Sequence, residues 1–223
     1  MASISIFYVL LEEDVCFHDL KAYLRYLPLS QQNQVLRYRQ QKDQILSLVS
    51  KLLLFSQASQ DLPIPKERLH LAYSPLGKPY FPNYPTYQFS ISHSERCVAF
   101  VASDQPIGLD VEHVFQADKD IATLCFSPQE QLYFSQSDFS ALAFYEIWTQ
   151  KEAYVKKLGT GMSTSLLSFD IKEKSLKQSL WSTYLDGYFF SICSDKIQEQ
   201  SVTLKKLDLK KLLDYCSYSF SNI

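Results

Sequence analysis

Between Tyr87 and Val114 three strand-length runs follow one another, "YQFSISHS", "CVAFVAS" and "IGLDVEHV", separated only by short polar breaks. Strand side chains alternate between two faces, so a slip of one residue would turn every buried side chain outward. The third run makes the constraint plainest. Leu109 and Val111 alternate with Asp110 and Glu112, which puts two aliphatic side chains on one face of a strand and two carboxylates on the other. Like charges side by side repel, and burying them is costly unless they are paired. A pair of acids in a hydrophobic strand needs a reason.

The remaining segments set the fold class. "SISIFYVLL" alternates and is rich in β-branched and aromatic residues, as a strand requires. "LSQQNQVLRYRQQKDQILSLVSKLLLFSQASQ" has no Gly or Pro, and its apolar spacing predicts one long helix or two joined ones. "DLPIPKERLHLAYSPLGKPYFPNYP" reads as a proline-rich loop with a short strand over "LHLAY". In "CFSPQEQLYF", Ser127 is an N-cap, Pro128 takes the first helical position and Glu130 closes a capping box, a structural duty for that acid. "FSALAFYEIWTQKEAYVKKLG" is a helix stopped by Gly159. "TSLLSFDI", "SLWSTYL", "GYFFSICS" and "SVTLKKL" read as closing strands. This mixed order predicts an α+β fold in two halves, 1–105 and 106–223.

Composition removes several function classes. The chain has 223 residues, 46% hydrophobic and 21% charged, a globular rather than disordered balance. A net charge of −2 and a pI of about 6.1 argue against nucleic acid as a partner. No apolar run approaches the roughly 18 residues a membrane span needs. The amino-terminal stretch lacks a basic region and reads as a first strand, not a signal peptide. Cys16, Cys97, Cys125, Cys193 and Cys216 are scattered and form no C-x-x-C, which predicts reduced thiols and a cytoplasmic protein.

A third acid answers the first two. On a helix, Trp148, Glu152 and Lys156 are spaced by four and share one face. Glu152 ahead of Lys156 is also the order of an ordinary surface ion pair. Yet Glu152 continues the apolar row through Tyr145 and Trp148, where an acid needs a specific partner. If Asp110, Glu112 and Glu152 converge, they need a cation, and an all-oxygen set favours Mg²⁺ or Mn²⁺, ions that take phosphate oxygens. Two further stretches add to this without deciding it. His93 stands between Ser92 and Ser94 at a strand end. Gly77 and Pro79 form a turn presenting Lys78, either a point charge for phosphate or a solvated loop lysine.

In order, the chain offers "GKPYFP", "FSISHS", "IGLDVE" and "WTQKEAYVKKLGTGMS". This set resembles the two-lobed 4′-phosphopantetheinyl transferases of the surfactin-synthetase-activating type, from about Leu76 to Ser163. The resemblance implies two similar α+β subdomains related by pseudo-two-fold symmetry, with the active site in the cleft between them. It implies transfer of the phosphopantetheine arm of coenzyme A, the co-substrate, onto a serine of an apo acyl, polyketide or peptidyl carrier protein. By the same resemblance Asp110, Glu112 and Glu152 match magnesium-binding acids, and Ser92 and His93 match residues on the nucleotide phosphates. Gly77 and Lys78 match a loop along the adenine end, and Lys156 matches a lysine near the pyrophosphate. Glu152, directly or through a water relay, is the expected base, and a monomer is the expected state.

One departure bears on specificity. Where the family carries an arginine for the 3′-phosphate of coenzyme A, this chain has Leu46, and Gln31 and Gln34 stand where basic residues are common. Weak discrimination against the 3′-dephospho form is therefore expected, with Arg37, Arg39, Lys42 or Lys51 as substitute cations. A metal-dependent phosphohydrolase and a non-catalytic relative binding coenzyme A or a carrier domain are the competing readings. The segment around "FQADKDIATLCFSPQEQLYF" is the expected carrier-docking region, with Phe115, Leu124 and Phe126 as candidates, although core packing is the more ordinary role for each.

Overall fold

A computed structural model describes residues 3–62, 69–195, 197 and 201–220, so 63–68 of the expected proline-rich loop lie outside the described residues. The chain opens with β1 (Ser3–Leu10), a short α1 (Phe17–Leu20), a 3₁₀ turn over Lys21–Tyr26, α2 (Leu29–Leu36) and α3 (Gln41–Asp61). The long Gly- and Pro-free stretch is thus two helices. They part at 37–40, where the Gln44 side chain donates to the Tyr38 carbonyl at 2.9 Å. A small ribbon of β2 (Ala72–Tyr73) and β3 (Pro79–Tyr80) precedes the three alternating runs, which form β4 (Gln88–Ser94), β5 (Cys97–Ser103) and β6 (Ile107–His113).

Next come α4 (Lys119–Cys125), α5 (Pro128–Gln136) and α6 (Ala141–Leu158). The capping box at Ser127 and Glu130 forms as its spacing predicts, and α6 ends on Gly159 at φ 71°, the left-handed geometry glycine accepts. The expected strand "TSLLSFDI" does not form: 166–168 make a 3₁₀ turn. There the Ser168 amide and hydroxyl both donate to the Ser165 carbonyl, at 3.0 and 2.6 Å, satisfying the backbone locally without a partner strand. A short α7 (Lys174–Lys177), β7 (Leu180–Leu185), β8 (Tyr188–Ser194), β9 (Ser201–Leu207) and α8 (Leu209–Phe220) complete the order. Helix α8 has no counterpart among the expected elements.

The fold is α+β, built around two sheets. One has the order β4–β5–β1–β9, antiparallel except for the parallel pair β1 and β9; the other is the antiparallel β6–β8–β7. Phe89, Val98 and Phe100 on one face of the first sheet pack against Leu48, Leu52 and Phe55 of α3. Its other face, with Ile4, Ile6, Ala99 and Val101, packs on Ile107, Leu109, Val111, Phe190 and Ile192 of the second sheet. The aliphatic side of "IGLDVE" therefore lies between the sheets, and its acid side faces α6.

Residues 201–220 return to the first sheet and its helices. Strand β9 extends the first sheet, and Leu212, Leu213 and Cys216 of α8 bury themselves in the α3 core. Val202 and Leu204 of β9 also pack against the core between the two sheets. The reason for the return is the edge of β1: β9 pairs along it from Ser3 to Val9, covering backbone groups left open on that side.

Candidate active site

The seam between the sheets is zipped by alternate serines of β4. Ser90 Oγ accepts the Leu109 amide at 2.9 Å, Ser92 Oγ donates to Asp110 Oδ1 at 2.8 Å, and Ser94 Oγ donates to Glu112 Oε2 at 2.5 Å while accepting the His113 amide. Side-chain hydroxyls stand here in place of a backbone ladder, and they hold both acids of β6. From the other side α6 brings Lys156, whose Nζ donates to Asp110 Oδ1 at 2.7 Å and Ser92 Oγ at 2.8 Å. Helix and strand come this close because residue 108 is glycine: a Cβ there would lie 2.0 Å from the Ala153 carbonyl oxygen.

Three carboxylates share this seam. Asp110 is buried, and its Oδ2 has no hydrogen-bond partner among the described residues. Burial, then the Asp110 charge, pushes Glu112 from 4.5 up to about 7, with Ser94 and Lys156 pulling the other way. Burial and Asp110 also push the Glu152 carboxyl up. The Glu112 shift gives stability a pH dependence. The folded protein holds that proton more tightly than the unfolded chain, so the contribution is full below about 4.5 and is lost as pH rises to about 7. Glu112→Gln should match the wild type near pH 4 and exceed it above pH 7 by on the order of 1 kcal/mol, after allowance for solvent screening. Thermal melts across that range check it, and a constant difference at all pH values would refute the assignment.

The remaining expected residues lie close by. His93 is exposed at the end of β4, and surrounding protein, then the Lys156 ammonium, lower its pKa. Gly77, at φ 87°, closes the β2–β3 turn. Lys78 does not project freely from that turn. Its Nζ donates to the Lys157 carbonyl at 2.9 Å, at the carboxyl end of α6, and burial lowers its pKa. The turn is thus tied across the seam to α6, and between them opens a cleft of about 220 Å³. Leu76, Pro79, Phe89 and Ile91 give it apolar lining, and Lys78, Ser90 and Lys156 line it with polar groups. A cleft of this size takes one flat end of a larger ligand, not the whole.

The comparisons now have a geometry to attach to. A family model for the amino-terminal region of 4′-phosphopantetheinyl transferases matches residues 15–105, and one for the 4′-phosphopantetheinyl transferase superfamily matches 106–206. The 4′-phosphopantetheinyl transferase AcpT of Salmonella typhi is 30% identical over 64% of this chain and 72% of its own length. The chain belongs to the 4′-phosphopantetheinyl transferase superfamily. Other members of this superfamily are similar over different shares. The transferase gsp of Aneurinibacillus migulanus is 29% identical over 81% of both chains. The transferase Sfp of Bacillus subtilis is 32% identical over 61% of this chain, which spans 62% of that relative's length.

Do the acids of this phosphopantetheinyl transferase fit a divalent cation? Among the described residues, no three His, Cys, Asp or Glu side chains form a ready coordination group, and Lys156 is the cation on Asp110 Oδ1. As placed they are not gathered into a coordination group; what suits a divalent cation is their donor chemistry alone. All are oxygen ligands, the buried Oδ2 of Asp110 lacks a partner among the described residues, and three acids against one lysine leave a surplus of negative charge. Ser90 and Ser94 are site residues not expected individually, although their signal, serines at every second position of "FSISHS", is visible in the sequence. Among the described residues no helix is long and apolar enough to cross a membrane.

Proposed function

We propose that this chain transfers the 4′-phosphopantetheine group of coenzyme A to a serine of an apo acyl, polyketide or peptidyl carrier protein, releasing adenosine 3′,5′-bisphosphate. The observation that carries this reading is Lys156, which lines the cleft and is bonded at once to Ser92 and Asp110. The apolar lining suits the adenine end of coenzyme A, and Lys156 and the neighbouring seam suit its pyrophosphate. Asp110, Glu112 and Glu152 would hold Mg²⁺ or Mn²⁺, which when bound supplies charge neutralisation for phosphate oxygens.

The chain's own groups do the rest. The carrier serine is a neutral hydroxyl and needs a base. Glu152, which accepts no hydrogen bond among the described residues, takes that proton directly or through a water relay. The serine oxygen bonds to the phosphorus that carries pantetheine, the pyrophosphate P–O bond breaks, and the leaving bisphosphate takes the electron pair. Lys156 compensates charge on the pyrophosphate oxygens. In this reading the protein works as a cytoplasmic monomer. Phe115 and Leu124 are exposed, whereas Phe126 is fully buried against Phe134 and Phe144 and is a core residue rather than a docking one.

Incubation with Mg²⁺, coenzyme A and an apo carrier domain, read by intact mass, tests the proposal. A phosphopantetheine adduct on the carrier is expected. Consumption of coenzyme A without an adduct would favour a hydrolase, and an unmodified carrier across several types with coenzyme A intact would favour a binding module. Glu152→Gln that binds metal and coenzyme A normally and transfers at full rate would remove Glu152 as the base.

For the 3′-phosphate the reading favours Lys51 among the four substitute cations. Leu46 is buried in the α3 core, Lys42 is paired with Glu95 at 2.7 Å, and Arg37 and Arg39 are exposed. Lys51 alone of the four substitute cations is half-buried; its Nζ donates at 3.0 Å to a neutral acceptor, Gln34 Oε1, and burial lowers its pKa to about 8. Competition between coenzyme A and its 3′-dephospho form should show a preference of only about tenfold, the worth of one charge-assisted hydrogen bond. Lys51→Met should erase it. A much stronger preference, or one that survives Lys51→Met, would place the grip elsewhere.

A further inference from the structure

Three successive residues of α6, immediately before Glu152, each bond a different element. The Thr149 hydroxyl lies 2.7 Å from Ser191 Oγ of β8. Gln150 Nε2 donates to Ser182 Oγ of β7 at 2.8 Å. Lys151 Nζ donates to both carboxylate oxygens of Glu130, in α5, at 2.8 and 2.6 Å, and to the Phe169 carbonyl at 2.9 Å. Glu130 also accepts the amides of Ser127 at 2.7 Å and Ile171 at 2.8 Å, so this one carboxylate gathers α5, α6 and the chain after α6. Both side chains of the ion pair are 0% exposed. The capping duty expected of Glu130 is therefore only part of what it does.

Successive helix residues point about 100° apart. Bonds from 149, 150 and 151 therefore fix α6 from three directions around its axis, and the next residue in the rotation is Glu152. We infer that Thr149, Gln150 and Lys151 are positioning residues, a clamp that sets the rotation of α6 and thereby aims Glu152 and Lys156 at the seam. The inference rests on the transfer reading for its catalytic consequence. A buried ion pair is a poor source of stability, because well-packed apolar replacements are often as stable. What the pair supplies that apolar packing does not is direction: one ammonium can satisfy Glu130 and the Phe169 carbonyl together in only a narrow range of helix rotation. Misplacing a catalytic group by about 1 Å can cost a hundredfold in rate.

The test is the double variant Lys151→Met with Glu130→Gln, which removes both charges while keeping side-chain length and an acceptor for the capping box. It should melt near the wild-type temperature, and kcat for transfer should fall about tenfold or more, with KM for coenzyme A within about twofold. Amide hydrogen exchange should quicken across 146–158 and stay unchanged in β6 and β8. A folded double variant with wild-type kcat overturns the inference and leaves the pair a stability element. Should that variant not fold, Thr149→Val with Gln150→Ala gives the same split by removing the other two bonds, and Thr149→Ser, which keeps the hydroxyl, should restore kcat. If the wild-type protein modifies no carrier, the transfer reading is what has failed; exchange then judges the clamp alone, and unchanged exchange in α6 overturns it.

Discussion

Asp110→Asn is expected to lower transfer about a thousandfold, the upper range for loss of one electrostatic group at a reacting centre, while leaving the melting temperature unchanged or raised. The two effects have one cause. Asp110 is buried, and its charge pushes up both Glu112 and Glu152. A cluster that raises the pKa of its own members is one whose members would be more stable without the shared charge. Removing it relieves both neighbours, and Lys156, still about one-third exposed and bonded to Ser92, keeps a neutral partner and water. Asn retains an oxygen for Ser92, so the seam stays closed. Function would lose the partner of Lys156 and one of the three acids proposed to hold the metal. Melting curves beside carrier-modification rates check this. A folded variant with near-normal transfer would remove Asp110 from the site, and a collapse in stability would make its role structural.

Much of this arrangement can be read from the chain, and the limits have physical causes. The alternation of "IGLDVEHV" puts Asp110 and Glu112 on one face, and the register against β8 agrees: Asp110 lies opposite Ser191, and Leu109 opposite Ile192. Helix α6, its Gly159 stop and the Ser127 cap are local patterns and form as predicted. The return of β9 and α8 to the first lobe is not legible, because pairing along β1 depends on an edge nearly 200 residues away in sequence. The direction taken by Lys78 is hidden for a similar reason. Its acceptors are main-chain carbonyls of Lys157 and Ile107, which exist as acceptors only once α6 ends and β6 begins beside the turn. "TSLLSFDI" has the composition of a strand, but its serines bond within their own turn and no sheet edge reaches it. The glycine of "IGLDVE" states a need for closeness without saying to what.

Gly108→Ala gives that closeness a magnitude. The added Cβ would stand 2.0 Å from the Ala153 carbonyl oxygen and 2.3 Å from the Lys157 amide nitrogen. Both are main-chain atoms of α6, so no rotamer change relieves the clash and the helix itself must move off β6. Overpacking of this kind costs about 3 kcal/mol or more, and the displaced helix carries Glu152 and Lys156 with it. Transfer should therefore fall about a hundredfold even under conditions where the variant is folded. Gly77→Ala is the contrast. Position 77 has φ 87° but nothing within 4 Å of a Cβ, so only backbone strain of about 1–2 kcal/mol opposes alanine there, and α6 stays in place. Urea unfolding midpoints and single-turnover transfer for the two variants separate the cases. If Gly108→Ala kept wild-type stability, β6 and α6 would not be in the contact described, and the convergence of Asp110 with Glu152 and Lys156 would lose its geometric basis.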